Sequence, residues 1–141
     1  MVGLQRPQPV VLTDEDGDYI GSGAAAGIIA STARMASAAA STNATNVKTT
    51  AGTVFGFQAR NNAGYDVFLV LYDSAANPPV PGTTTIRKKI CIPASSSGDM
   101  AFPEGLLFAT GIGYAFTKLV ADADTTVLVA ADITSFNLDY T

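Results

Sequence analysis

The sequence predicts an all-β chain: an antiparallel β-sandwich, jelly-roll-like, with an extended N-terminal arm. Three observations carry this. From Asn46 onward, short β-branched and aromatic runs alternate with Gly, Pro, Asn and Asp signals every ~8–12 residues, the spacing of sandwich strands. About eight to nine such runs fit in the chain, enough for two sheets and a jelly roll. The apolar runs are also too short, and too often broken by Gly or Pro, to be helices.

Residues 1–22 read as the arm and residues 23–141 as the sandwich domain. Pro7 and Pro9 lack a backbone donor and favour extended chain. Val10-Val11-Leu12 is long enough to add one short strand to another sheet. Asp14-Glu15-Asp16-Gly17-Asp18 has the opening spacing of a calcium loop. The twelfth residue from Asp14 is Ala25, however, where such a loop needs a bidentate Glu, so a plain acidic turn is favoured. The following stretch is Ala-rich but interrupted by Gly21, Gly23 and Gly27 and by recurring Ser and Thr. It reads as a strand near Ile28–Met35 and then a Ser/Ala-rich connector to Asn46, with a helix as the alternative.

Thr45–Thr49 alternates, Ala51-Gly52 turns, and Val54–Arg60 is a strand with Gly56 at a bulge or close contact. After the turn at Asn61–Gly64, Asp66–Tyr72 is nearly continuous in β-branched and aromatic residues and reads as a central strand. Asp73–Gly82 is a Pro-rich loop and a candidate for contacts. Thr85–Ile92 carries Arg87-Lys88-Lys89 at its centre, the mark of a guarded edge strand, and Pro93 ends it. Met100 and Phe102 form a short strand leading into Phe102–Phe116, FPEGLLFATGIGYAF. There Pro103 and Gly105 make a turn, and the apolar runs on either side of Gly111 form a buried strand pair. Thr117–Thr126 is a loop, and Val127–Ala130 and Ile133–Tyr140 close the chain as strands.

Composition narrows the function classes. Charged residues make up 14% of the chain, against a usual ~25%, while the hydrophobic share is 48%. A surface so poor in charge suits a subunit covered by neighbours. The net charge of −4 argues against nucleic acid as a partner, since phosphate binding needs a basic face. No basic-then-apolar leader opens the sequence, and no run is apolar enough to span a membrane despite the Gly23/Gly27 spacing. The single cysteine, Cys91, excludes an intrachain disulfide. Between Ile90 and Ile92 it reads as a buried, inert thiol.

No catalytic constellation is legible. The chain has no histidine, which removes the Ser-His-Asp and Cys-His systems and leaves a zinc site without ligands. Gly111-Ile112-Gly113 lacks the third glycine of a dinucleotide fingerprint. Asp122 and Asp124 are paired carboxylates that read as turn-formers. Tyr65, Tyr72, Tyr114 and Tyr140 are candidates for a carbohydrate platform, though core-edge tyrosines with a wet hydroxyl are the commoner case. Neither a cofactor nor enzymatic activity is expected.

Ser41-Thr42-Asn43-Ala44-Thr45, the strand around Val54-Phe55-Gly56, Phe68–Asp73 with its Pro-rich loop, and FPEGLLFATGIGYAFTKLVADADTT follow one another over about Ser41 to Tyr140. This succession resembles a group of small virion structural proteins of tailed bacteriophages. Pro9-Val10-Val11-Leu12 is similar to the arms of phage structural proteins. The chain departs from the pattern at Val70, where Lys is expected, and at Lys118-Leu119-Val120, where small residues are usual. The resemblance implies a β-sandwich on the virion, made in the host bacterial cytoplasm and frequently trimeric. Its first implication is a capsid decoration (cement) protein bound to the major capsid protein on the outer shell. The alternative is a head- or tail-fibre or baseplate module that binds host glycans. Val10, Val11 and Leu12 are the expected arm contacts. Asn77, Pro78 and Pro79 of the loop, with Arg87, Lys88 and Lys89 of the edge strand, are the expected subunit or capsid contacts.

Overall fold

The computed structural model describes residues 31–141. The arm expected over residues 1–22, with Val10, Val11 and Leu12, and the first residues of the expected 28–35 strand lie outside the described residues. Eight strands follow in order: β1 (Ser31–Met35), β2 (Thr45–Lys48), β3 (Gly52–Asn61), β4 (Val67–Asp73), β5 (Ile86–Ile92), β6 (Ser97–Phe108), β7 (Ile112–Thr117) and β8 (Ile133–Tyr140). They form two four-stranded sheets, ordered β1-β8-β3-β6 and β2-β7-β4-β5. Every pairing is antiparallel, and β1 meets β8, β2 meets β7, β3 meets β6 and β4 meets β5. The chain is thus one long hairpin, its tip between β4 and β5, wound across two sheets. That is the jelly roll the strand count predicts.

Alternation sets the core. Val54, Phe57 and Ala59 of β3 and Phe136 and Leu138 of β8 face Val67, Leu69 and Leu71 of β4 and Ile112, Tyr114 and Phe116 of β7. Phe136 joins the two layers. Its ring centroid lies 4.7 Å from that of Tyr114 and 5.1 Å from that of Phe116, the latter pair edge to face. Such tilted geometries suit the ring quadrupoles better than a flat stack.

Beta4 and β7 are buried on both faces, which explains their continuous apolar runs. On the outer face Val70, Tyr72 and Ala115 form a second, smaller core with Ala44 and Ile86. The connections that follow β4 and β7 lie close together outside this sheet. Pro79 approaches Gly113, and Gly82 sits against Ala123 and Thr125.

Three expectations fail. The apolar runs on either side of Gly111 are not a buried strand pair: β6 and β7 lie in different sheets, and Leu107 on the β6 edge is exposed. Pro103 and Gly105 do not divide two strands, since β6 is continuous from Ser97 to Phe108. They lie instead in a bulge: Val54 pairs with Leu106 and Gly56 with Ala101, so a short step on β3 faces a longer arc of β6. Because β6 is an edge strand, the N–H that proline lacks costs no inner ladder bond. Gly105 takes a φ of 77°, and a side chain there would collide with Thr53. Likewise Val127–Ala130 is not a strand. Only Leu128 turns inward, with its N–H donated to the Ser41 carbonyl at 3.0 Å, and its neighbours face solvent.

Phe136→Ala removes the ring shared by both sheets. It is expected to destabilise the fold by about 3–5 kcal/mol, measured by denaturant unfolding. A loss below about 1 kcal/mol would mean the sheets hold together without that contact.

Candidate functional site

The polar chemistry of the described residues is concentrated at loops. Asn61, fully buried at the end of β3, donates from Nδ2 to the carbonyls of Tyr65, Ile92 and Pro93 at 2.9, 3.0 and 3.1 Å. Its Oδ1 accepts the Ala63 N–H at 2.9 Å. One side chain thereby ties the turn after β3 to the end of β5. Asp73, the last residue of β4, accepts the consecutive N–H groups of Ala109, Thr110 and Gly111 at 3.0, 2.8 and 3.4 Å. Those residues are the β6–β7 turn. Gly111 is required there because a Cβ would fall 2.5 Å from the Ser74 carbonyl oxygen and 2.8 Å from that of Lys48. Partial burial tends to raise the Asp73 pKa, but the three N–H donors and the Arg87 charge outweigh it and hold the carboxyl below its usual range.

Asp124 does the same for the long connection between β7 and β8. Oδ2 accepts the N–H of Lys118 at 3.1 Å and of Leu119 at 2.8 Å. Oδ1 accepts the Thr126 N–H at 3.0 Å and its hydroxyl at 2.5 Å. Burial again pushes the pKa up, and the Thr126 hydroxyl and three backbone donors pull it further down. The pair Asp122 and Asp124 is therefore split in role: Asp124 pins the loop, and Asp122 stands in solvent. Asp132, buried at the far end, accepts the Val129 N–H at 2.7 Å and the Tyr65 hydroxyl. Lys118 lies 4.4 Å above the Tyr65 ring.

The expected contact residues are distributed unevenly. Asn77 and Pro78 are exposed at the tip of the β4–β5 loop, joined by a cis peptide bond. Pro79 is buried against Gly113 and anchors the loop, so its ring is not offered to a partner. β5 is an edge strand, as its basic centre predicts. Its cations also reach neighbouring elements. Arg87 Nε donates to the Leu107 carbonyl of β6 at 2.9 Å, across the open side between the sheets. Lys88 lies 5.6 Å from the Phe102 ring centroid. Lys89 donates to the Ala121 carbonyl at 2.6 Å and lies 3.9 Å from Asp122. Of the three, Arg87 and Lys88 remain exposed while Lys89 is half-buried.

Two further readings are corrected. Cys91 is exposed, not buried, because strand alternation turns it to the outer side of β5 while Ile90 and Ile92 face the other way. Desolvation and the neighbouring Asp66 carboxylate push its thiol pKa up. The tyrosines form no shared platform. Tyr72 and Tyr114 are in the two cores, with burial raising the Tyr72 pKa to about 12, and the Tyr65 hydroxyl is held by Asp132.

Among the described residues no group of three or more His, Cys, Asp or Glu side chains converges as a metal site needs. Two surface depressions stand out. One, of about 300 Å³, lies on the polar outer face of the first sheet between Gln58, Arg60, Asp99 and Asn137. The other, of about 640 Å³, runs along the β5–β6 opening between Thr53, Arg87, Leu107 and Phe108. Sequence reading missed both, because each is assembled from strands distant in the chain. Comparison with family models, with curated proteins and with solved structures returned no match.

The Asp124 arrangement predicts a pH dependence. Its folded pKa is lowered, so its contribution is present above the ordinary carboxyl value of about 3.9 and is lost as pH falls through the folded pKa. Asp124→Ala should cost about 1–3 kcal/mol near neutral pH, and the gap from the parent protein should shrink below about pH 4 in urea titrations. A pH-independent gap would contradict the assignment. For Cys91, a maleimide should label the native protein stoichiometrically, faster as pH rises toward the thiol pKa. Protection until unfolding would restore the buried reading.

Proposed function

We propose that this chain is a structural protein of a tailed-bacteriophage virion, acting as a capsid decoration (cement) protein that binds the major capsid protein on the outer shell. The phage assignment rests on the resemblance over about Ser41 to Tyr140. The observation that supports a binding role over a catalytic one is where the polar groups go. Asp73 and Asp124, the two carboxylates with lowered pKa, are both committed to backbone N–H groups in loops. A domain that uses its acids to hold loops in shape acts through the surfaces those loops present.

The mechanism under this reading is mechanical. A rigid jelly roll sits on the shell as a knob, and the 1–22 arm lies along capsid subunits or a neighbouring copy. Extended chain gains main-chain hydrogen bonds by adding to an exposed strand edge. Several copies engaging together, as a trimer under the resemblance, give avidity without one strong site. Asn77 and Pro78 at the loop tip, with Arg87 and Lys88 on the β5 edge, are the exposed residues available for the same contact. The fibre or baseplate alternative loses its tyrosine platform, since Tyr72 and Tyr114 are buried.

The test is co-sedimentation with expanded capsids that lack this protein. Saturable binding at many copies per particle is expected. Deleting residues 1–22 should abolish it while circular dichroism still reports a folded sandwich. Binding unchanged by the deletion would refute the arm contact, and a few copies per particle would move the protein to the tail.

A further inference from the structure

The connection between β7 and β8, residues 118–132, has neither helix nor strand. Loops of this length are uncommon in compact domains and are usually functional. This one is held in shape. Asp124 bridges its two limbs by accepting from Lys118 and Leu119 on one side and Thr126 on the other. Asp132 fixes Val129, and Lys89 fixes Ala121. Yet the loop turns four aliphatic side chains outward: Leu119 is 57% exposed, Val120 73%, Val127 51% and Val129 56%. An ordered loop that holds this much apolar surface in water is the usual sign of a docking face.

The same chain carries a matching surface. Apart from Val80, the other large aliphatic side chains exposed among the described residues are Met100 and Leu107, both on the β6 edge strand. Leu107, at 68% exposure, borders the 640 Å³ groove with Phe108 and Ala109. A long edge strand with exposed apolar residues is a surface that natural proteins cover. The two patches also carry opposite charge at their rims. The groove is lined by exposed Arg87 beside the Asp73 carboxylate, with Lys88 next to it on β5. The loop presents Asp122, whose side chain is 80% exposed although it lies 3.9 Å from Lys89 of its own chain.

We propose that the 118–132 loop of one copy docks into the β5–β6 groove of a second copy, with Leu119, Val120 and Val127 against Leu107 and Asp122 facing Arg87. Two different patches meet, so the contact is heterologous, and the discrete species expected below requires that its rotation closes into a ring. The inference stands on these surfaces and does not require the virion reading.

The test uses the full-length protein in light scattering coupled to size exclusion and in sedimentation velocity. The expected parent species is a discrete multiple of the 14.4 kDa chain. Val120→Asp and Leu107→Glu should each weaken association about 10-fold or more while circular dichroism and the unfolding midpoint of the dissociated chain stay native. Asp122→Lys and Arg87→Glu should each weaken it, and the double exchange should recover part of the loss. A monomeric parent protein at high micromolar concentration would overturn the proposal, as would an oligomer indifferent to both Val120→Asp and Leu107→Glu. Capsid binding is measured separately by co-sedimentation, so failure of this contact and failure of the virion reading are read apart.

Discussion

The contact between Phe136 of β8 and the Tyr114–Phe116 pair of β7 is the point on which the rest of the sandwich depends. It is where one sheet meets the other through large rings, 4.7 and 5.1 Å apart. Aliphatic side chains and the rings of Phe57 and Phe108 fill in around it. A jelly roll needs such an anchor because its strands pair over long sequence separations. β1 with β8 and β2 with β7 close loops that span most of the described chain, and the entropy lost in closing them must be offset by burial.

Given that core, polar side chains finish the corners. Asn61, Asp73 and Asp124 each replace water for several backbone groups near a strand end, and Asp132 does so for the Val129 N–H and the Tyr65 hydroxyl. The gain from each hydrogen bond is modest, but an unsatisfied buried N–H or carbonyl would be expensive. Among the described side-chain polar atoms, the Thr117 hydroxyl is the buried one without a partner. Asp73, Asp124 and Asp132 are thus structural first. Their hydrogen bonds tie down the β6–β7 turn and the two limbs of the 118–132 loop.

These corners also decide which surfaces are open. The outer face of the β2-β7-β4-β5 sheet carries its own small core of Val70, Tyr72 and Ala115, with Pro79 packed on Gly113. The first sheet keeps a polar outer face of Gln58, Arg60, Asp99 and Asn137. Apolar surface is left at the β6 edge and on the 118–132 loop, with Arg87 near the first and Asp122 on the second.

Sequence by itself determined the fold class and most of the strands. Strands alternate with a period of two and turns demand Gly, Pro, Asn or Asp, so both are local and readable. The central place of β4 and the edge place of β5 were legible for the same reason: one run is apolar on both faces, and the other carries cations that tolerate only an edge. Tertiary structure alone decided the rest. Pro103 and Gly105 read locally as a turn, but at an edge strand the same residues fit a bulge. Val127–Ala130 has a strand's composition, but it lies along the 38–41 connector with single backbone bonds from Leu128 and Ala131 rather than in a ladder, and only Leu128 turns into the core. Cys91 lies on the exposed side because register, not hydrophobicity, sets which face a residue takes. The β5–β6 groove and the two-limbed apolar loop are invisible in the sequence, since their residues come together only when distant strands pair.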